Sequence, residues 1–240
     1  MRMFKADLHI HTCLSPCADL EMSPKQIVNE AWKKGVQVIG ICDHNSAENV
    51  PAAMQSGARL GLRVIGGMEV TTREEVHVLA LFGEDERLFS LQQVVYDNLH
   101  GSNDAGLYGD QIIVNEDEEV LGFSEKLLIG ATDIGIDRLV ALIHELGGLA
   151  VAAHVDREGF GIIGQLGFIP PELPLDALEV ADPSARDTIP GHDRYTFVTG
   201  SDAHTIDRVG ARCSSFWMEE VSIEEMRKCF RGTDGRRVVM

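Results

Sequence analysis

Aspartate and histidine alternate near the beginning of the chain, in the segment KADLHIHTCLSPCADL. Asp7, His9 and His11 are spaced two residues apart, and in a β-strand that spacing would place the three side chains on one face. Imidazole and carboxylate groups together are ligands for Zn, Mn or Fe. A strand that simply faces solvent would show the same pattern, so the other histidines have to distinguish a metal site from a polar surface.

Further histidines and acidic residues follow apolar runs along the chain. They are His44 in ICDHN, Glu69 in IGGMEV, His77 in EVHVLALF, His154 in LAVAAHVDR, and Asp202 with His204 in TGSDAH. Because functional groups of α/β sheets and barrels collect at the C-terminal ends of strands, we expect these side chains to meet at one rim. His77 is less securely placed, and His100, His144 and His192 fall on helical or loop patterns and are predicted to lie on the surface.

Seven short runs rich in Val, Ile and Leu supply the strands that would position these groups. They span residues 3–10, 36–42, 63–70, 76–82, 148–154, 176–180 and 196–200. Helix signals lie between several of them: Ser23 followed by Pro24, an apolar stripe over 136–146, and the capping box Ser222-x-x-Glu225. This alternation predicts an α/β fold with a parallel sheet, closed or nearly closed into a barrel, as one domain over residues 1–240. The turn-rich, acidic segment 101–135 is predicted to be an insertion, either a lid or a solvated loop.

Composition limits the class of function. The chain has 240 residues, of which 44% are hydrophobic and 25% charged, with a net charge of −17. That charge makes a long duplex nucleic acid an unfavourable partner, although bound cations would still allow an anionic substrate. With neither a membrane span nor a signal peptide in the pattern, we expect a cytoplasmic protein whose five cysteines are reduced. No pattern indicates the oligomeric state.

The ordered motifs resemble those of the PHP family, named for polymerases and histidinol phosphatase. They are DLHIHT (7–12), CDHN (42–45), Glu69, His77, AAHVDR around His154, and SDAH (201–204). The resemblance covers essentially the whole chain. It implies a distorted seven-stranded β/α barrel with a metal site at the strand C-terminal ends, holding two or three divalent ions of Zn, Mn or Fe.

The resemblance also implies an assignment of ligands to ions. His9, His11, Glu69 and Asp202 would hold the first ion, Glu69, His77 and His154 the second, and His44 with His204 the third. Asp7 and Asp43 would fix the tautomers of the imidazoles, and Asp43 would alternatively reach an ion itself.

One position departs from the family pattern. Members usually have Asp or His five or six residues after the second histidine of the first motif, as a ligand of the third ion. Here those positions are Pro16 and Cys17, and Asp19 follows two residues later. Either Cys17 supplies a thiolate, Asp19 reaches in, or the third site is weak. We favour Cys17, and a thiolate there would select Zn or Fe over Mn.

The implied activity is hydrolysis of a phosphate ester by metal-activated hydroxide. Glu69, Asp202 and His204 would be the catalytic residues, the last two as candidates for proton transfer. Arg157, Arg186 and Arg208 are candidates for binding the substrate phosphate, or form surface ion pairs. The expected substrate is a small-molecule phosphate ester or a short oligonucleotide.

Two other functions stay open at this point. An amidohydrolase-like enzyme would cleave a non-phosphate bond, but no lysine lies at a strand end to be carbamylated. A catalytically silent module would hold metal for a regulatory or scaffold role, and the nearly complete ligand set argues against it.

Overall fold

The structure, a computed structural model, describes residues 1–240. Its strands are β1 (Arg2–Ile10), β2 (Val38–Ile41), β3 (Arg63–Thr71), β4 (His77–Phe82), β5 (Ile112–Val114), β6 (Val120–Phe123), β7 (Leu149–Ala152), β8 (Ala177–Glu179), β9 (Phe197–Val198), β10 (Ser214–Met218) and β11 (Arg237–Val239). The helices are α1 (Pro24–Lys33), α2 (Val50–Leu60), α3 (Asp85–Asp97), α4 (Ala105–Tyr108), α5 (Ile136–Glu145), α6 (Ile162–Leu166) and α7 (Ile223–Arg231). Short 3₁₀ helices span Pro183–Thr188, His192–Arg194 and Ile206–Arg208. None of the helices is long and apolar enough to cross a membrane.

Nine of the strands form one sheet in the order β11-β10-β1-β2-β3-β4-β7-β8-β9. Its edge strands β9 and β11 approach each other, so the sheet curves into a nearly closed barrel. All seven predicted strands are present, but the expected count of seven is wrong, because β10 and β11 add two strands beside β1. The sheet is also mixed rather than parallel, since β4 runs antiparallel to both β3 and β7.

Apolar side chains alternate between the inside of the barrel and the layer under the helices. Leu79 and Leu81 of β4 belong to the inner cluster with Phe4 and Phe216, whereas Val78 of β4 belongs to the outer one. Helix α1, which packs on the outer cluster through Ile27 and Ala31, begins at its expected cap. The Ser23 hydroxyl accepts a hydrogen bond from the amide of Gln26. The inner cluster fills the barrel, so polar groups collect at its ends.

Strand β1 does not alternate strictly. Asp7 pairs with Ile39 and Ile10 with Ile41, so Leu8 and His9 together face Gly40, as in a β-bulge. Only glycine fits there, because a Cβ on residue 40 would lie 2.4 Å from the Leu8 carbonyl oxygen. The bulge turns His9 to the interior, the side on which Leu8 packs, and leaves Asp7 on the other side. The prediction that Asp7 shares a face with the histidines is therefore wrong.

The segment 101–135 contains the short helix α4 and a two-stranded hairpin of β5 and β6. Two buried asparagines attach this segment to the barrel. The Asn49 side chain donates to the Ile112 carbonyl and accepts from the Val114 amide. The Asn45 amide donates to the carbonyls of Leu128 and Gly130. The segment thus follows the rim at which β2 ends.

Candidate metal centre

Glu69, at the C-terminal end of β3, is the central group of the site and is 1% exposed. Its carboxylate lies within 3.4 Å of ring nitrogens from five histidines. The distances are 2.9 Å to His77 Nδ1, 3.1 Å to His154 Nε2, 3.2 Å to His44 Nδ1, 3.3 Å to His11 Nε2 and 3.4 Å to His9 Nε2. Four of them end or follow β1, β2 and β7, whereas His77 begins β4, whose antiparallel direction brings its first residue to the same rim; all five are buried.

Asp202, in the loop after β9, is the second acidic group of the centre. Its Oδ1 lies 3.3 Å from His11 Nε2 and 3.4 Å from His9 Nε2, with His204 Nδ1 at 3.6 Å. Three groups of side chains bring their ligand atoms within 4.8 Å of one another. They are His9–His11–Asp202, His44–Glu69–His77 and His11–His44–His204.

The contacts among these side chains leave ring nitrogens without hydrogen bonds, as expected of a site that binds cations. Nδ1 of His44, His77 and His154 is buried and forms no hydrogen bond, although in His44 and His77 this atom lies within 3.2 Å of the Glu69 carboxylate. Nε2 of His9 and Nε2 of His11 are 3.1 Å apart, so at most one of these two nitrogens can donate a proton to the other. Imidazole nitrogens and carboxylate oxygens are the donors that Zn, Mn and Fe prefer, which makes this a candidate metal centre.

The acidic groups stay ionised despite their burial. Burial alone would raise the pKa of Glu69, but His77, His9 and His44 hold that pKa well below its usual range. Burial would likewise raise the pKa of Asp202, and the charges of His9 and His11 lower it far more. Both carboxylates are therefore available as anionic ligands at neutral pH.

The histidines fall into two sets by pKa. Burial lowers the pKa of His44 well below its ordinary value and that of His204 to about 4, so both rings are neutral at pH 7. Burial opposes the charge of His11, but contacts with Asp202 and Glu69 raise its pKa to about 9. An ion among these carboxylates would compete with that proton, because the metal-binding form of imidazole is the neutral one.

The backbone is strained at two of the site residues. His154 has φ of 29° and Asp202 has φ of 49°, in the left-handed region that non-glycine residues rarely adopt. Such conformations cost about 1–3 kcal/mol each and persist where the surrounding structure enforces them, commonly at functional sites. Both residues turn directly after a short strand.

The two aspartates expected to orient imidazoles do so indirectly or not at all. Asp43 accepts hydrogen bonds from Thr12 and from the Ser15 hydroxyl, which lies 3.0 Å from His11 Nδ1. Asp43 thus reaches a ligand through one intervening hydroxyl. Asp7 instead accepts from the amides of Ser201 and Gly210, and burial raises its pKa to about 6.

Glu179, at the end of β8, is a site residue that the sequence reasoning missed. Its Oε2 lies 2.9 Å from His9 Nδ1 and accepts a hydrogen bond from the His154 amide at 3.2 Å. The signal was available, since the run at 176–180 was the one predicted strand without an assigned polar group. Gly200 leaves room for this pair, because a Cβ there would lie 2.6 Å from Glu179 Oε1.

Cys17 and Asp19 lie at the rim and are exposed, and neither is in the three ligand groups. Desolvation and the charges of Glu69 and Asp43 raise the pKa of Cys17 to about 12. The Asp19 amide donates to the His204 carbonyl, so this loop does adjoin the third group.

Of the three candidate arginines, only Arg157 contacts the cluster. Its Nη1 donates to Asp202 Oδ2 at 2.6 Å. Arg186 lies over the ring of Phe197 and pairs weakly with Asp187, and Arg208 is exposed and forms no ion pair. His100 and His144 pair with acidic residues away from the centre.

Comparison with known proteins matches most of the chain to one protein family. The model of the PHP domain matches residues 7–161. The chain is 32% identical over 80 residues to a 5'-3' exoribonuclease of Haemophilus influenzae, covering 32% of this chain and 28% of the relative. It is also 32% identical over 84 residues to a phosphoribosyl 1,2-cyclic phosphate 1,2-diphosphodiesterase of Eggerthella lenta, covering 33% and 31%. The match thus spans under a third of the length of each of these relatives.

The fold is similar to solved structures over the whole chain. The lesion-specific endonuclease PfuEndoQ from Pyrococcus furiosus superposes with a TM-score of 0.73 at 20% identity, covering 100% of this chain and 58% of the endonuclease. A structure of Endonuclease Q with a 27-mer duplex carrying an abasic lesion gives a TM-score of 0.72 at 21% identity, covering 98% and 58%. At these identities the likeness concerns the fold.

Proposed function

The chain belongs to the PHP domain family, and on this premise we propose that it is a metal-dependent phosphoesterase. The observation that carries the proposal is the buried Glu69 carboxylate with five histidines around it, a cluster that the chain's own protons cannot satisfy. The two curated relatives, by name an exoribonuclease and a diphosphodiesterase, support phosphoester hydrolysis over the cleavage of a non-phosphate bond. They also speak against a catalytically silent module.

We assign two or three divalent ions of Zn, Mn or Fe to the centre. His9, His11, Glu69 and Asp202 would hold one ion, Glu69, His77 and His154 a second, and His44 with His204 a third. Each imidazole then serves one ion, which is the grouping expected from the family, although His44 Nδ1 also lies 3.2 Å from Glu69. Cys17, or alternatively Asp19, would complete the third site after a local movement of its loop. When bound, the ions supply Lewis acidity and lower the pKa of water.

The chain's own groups would orient the ester and move protons. The guanidinium of Arg157 is anchored on Asp202 through one nitrogen, which leaves its other N–H groups free to donate to a phosphate oxygen. When only two ions are bound and His204 holds none, its ring is neutral at pH 7 and would accept a proton at the unprotonated nitrogen, with Asp202 as the alternative acceptor. Residues 1–240 would act as one domain, with 101–135 as an insertion beside the rim.

The proposed substrate is a phosphate ester of a small molecule or a short nucleotide. Long duplex nucleic acid was expected to be unfavourable because of the charge of −17. The relatives do not support that expectation, since one structure with the same fold contains a 27-mer duplex. Duplex DNA therefore belongs among the substrates to be tested.

The test is a hydrolysis panel on protein reconstituted separately with Mn, Zn and Fe, with elemental analysis of each sample. Phosphate release is measured for the monoesters and strand cleavage for the nucleic acids, because cleaving a phosphodiester releases no free phosphate. The panel contains a sugar phosphate, a nucleoside monophosphate, a short oligonucleotide and a duplex with an abasic lesion. We expect at least one substrate to be hydrolysed, with loss of activity on chelation and recovery on adding metal back. If the protein holds two or more ions and hydrolyses none of these substrates, the proposal is contradicted.

A further inference from the structure

Phe160 lies in the loop between β7 and α6 and forms part of the rim of the metal centre. Its ring stacks on the His77 imidazole, with centroids 4.4 Å apart and planes 15° from parallel. The residue is nevertheless 42% exposed, and it belongs to none of the apolar clusters of the core. One face of the ring therefore covers a site histidine, and the rest is open to solvent.

The backbone holds this exposed ring in place at a cost. Phe160 has φ of 59°, a left-handed conformation that is unfavourable for a bulky aromatic residue. Its carbonyl accepts a hydrogen bond from the His77 amide at 2.9 Å, which ties the loop to β4. Gly161 allows the tight loop, because a Cβ there would lie 2.4 Å from the Arg157 carbonyl oxygen. Core packing does not explain a strained aromatic residue that stays 42% exposed.

Arg157, three residues earlier in the same loop, adds the second part of the argument. It contacts Asp202 at 2.6 Å, and its side chain is 40% exposed. His77, under the Phe160 ring, lies 2.9 Å from Glu69. One short loop therefore places the Arg157 cation beside Asp202. The same loop places the open face of Phe160 near Glu69, with only the His77 imidazole between them. A ligand with both a phosphate and a planar ring would match this pair.

We infer that Phe160 is a stacking platform for the nucleobase of the substrate, which selects nucleotides over sugar phosphates and other esters without a base. The base lies on the open face of Phe160, so that the order is His77, Phe160 and base, while the phosphate contacts Arg157 and the centre. Stacking on an aromatic side chain tolerates any base, because every base has a π-face. The inference rests on the proposed function, since the ester must occupy the metal centre.

The experiment compares two ligands that differ only in the base, AMP and ribose 5-phosphate. Their binding to metal-loaded protein is measured by calorimetry, and KM and kcat are determined where they are hydrolysed. We expect Phe160→Ala and Phe160→Leu to weaken AMP binding about tenfold or more, the range expected for loss of one base–aromatic stack. Ribose 5-phosphate binding stays the same, and Phe160→Trp retains AMP binding. Phe168→Ala is the matched control, since Phe168 is 55% exposed and its ring stacks on none of the site histidines.

Metal content and thermal unfolding of each variant show whether His77 is still in place. Equal weakening of AMP and ribose 5-phosphate would overturn the inference, because Phe160 would then only support His77. Unchanged AMP binding in Phe160→Ala would overturn it as well. The proposed function fails in a different way: wild-type protein would bind AMP through Phe160 and yet hydrolyse no phosphoester.

Discussion

Two buried glutamates lie at opposite ends of the barrel and have different partners. Glu69 is at the end where β3 finishes, and only histidines surround it. Glu225 is near the start of β1. There Arg2 pairs with Met218 of β10, and the next residue, Glu219, contacts Glu225. Its carboxylate accepts two hydrogen bonds from Arg236, one from Lys228 and one from the Glu219 amide, all at 2.9–3.0 Å.

The difference lies in the partners rather than in the acid. Arg236 and Lys228 hold the pKa of Glu225 down at about 2, and the histidines hold the pKa of Glu69 well below its usual range. Arginine and lysine carry their charge throughout the physiological range, so the Glu225 cluster is electrically complete. Imidazole can instead lose its proton near neutral pH and binds metal in the neutral form, so the cluster around Glu69 can exchange protons for metal ions. Replacing Glu69, Glu179 and Glu225 by Gln, one at a time, distinguishes glutamates that support metal binding from one that supports stability alone.

The largest effect is expected for Glu69→Gln. The substitution keeps the shape of the side chain and removes the negative charge that the histidines share. The protein should therefore lose metal, and its phosphatase activity should fall more than about 100-fold. That loss exceeds the one typical for a residue that only contacts a metal ligand. Elemental analysis and phosphate release measure the two losses, and circular dichroism checks the fold. A metal-replete, active variant would show that the chemistry is elsewhere.

A smaller effect on metal is expected for Glu179→Gln. Glu179 contacts His9 Nδ1 and so directs Nε2 of the same ring toward the centre. An amide oxygen can still accept from Nδ1 but lacks the charge, so metal affinity should fall about 10–100-fold. Competition with a chelator measures that affinity. If the affinity equals that of wild type, Glu179 contributes only to packing.

No effect on metal is expected for Glu225→Gln. Loss of its charged hydrogen bonds should lower the free energy of unfolding by about 1–3 kcal/mol at pH 7, with metal content and activity unchanged. Because the folded pKa of about 2 is below the ordinary 4.5, the contribution is present above pH 4.5 and disappears as the pH falls toward 2. Urea unfolding of both proteins at pH 7 and pH 3 measures it. A difference that does not shrink at pH 3 would rule out the ionised carboxylate as its source.

The sequence predicted most of what assembles the centre. Apolar runs ending in His, Asp or Glu indicated strands whose C-terminal ends meet, and His44, His154 and Asp202 do converge on the rim. His77 reaches the rim from the other direction, as the first residue of the antiparallel strand β4. The seven predicted strands were recognisable because a short buried apolar run is a strong local signal. Strand β10 (SSFWM) was missed because its hydroxyl and indole groups dilute that signal.

What could not be predicted depends on neighbours rather than on local pattern. The bulge in β1 lies opposite Gly40, where the missing side chain leaves space for it. The spacing of two residues along β1 does not reveal this bulge. Glu179 looks like an ordinary strand residue until His9 is placed beside it. The antiparallel direction of β4 follows from a short connection after β3, which the expectation of a parallel sheet ignored.

The pairing of β1 with β10 has a consequence for the order in which the molecule is built. Lys5 pairs with Ser215, so one side of the first strand has no partner until a segment about 200 residues later has been synthesised. Asp202 and His204 also emerge late from the ribosome, long after the histidines of β1. Contacts between such distant parts form slowly, because the intervening chain must be closed into a loop first. A nascent chain can therefore begin its barrel early, whereas its full set of ligands comes together only after residue 204 has been synthesised.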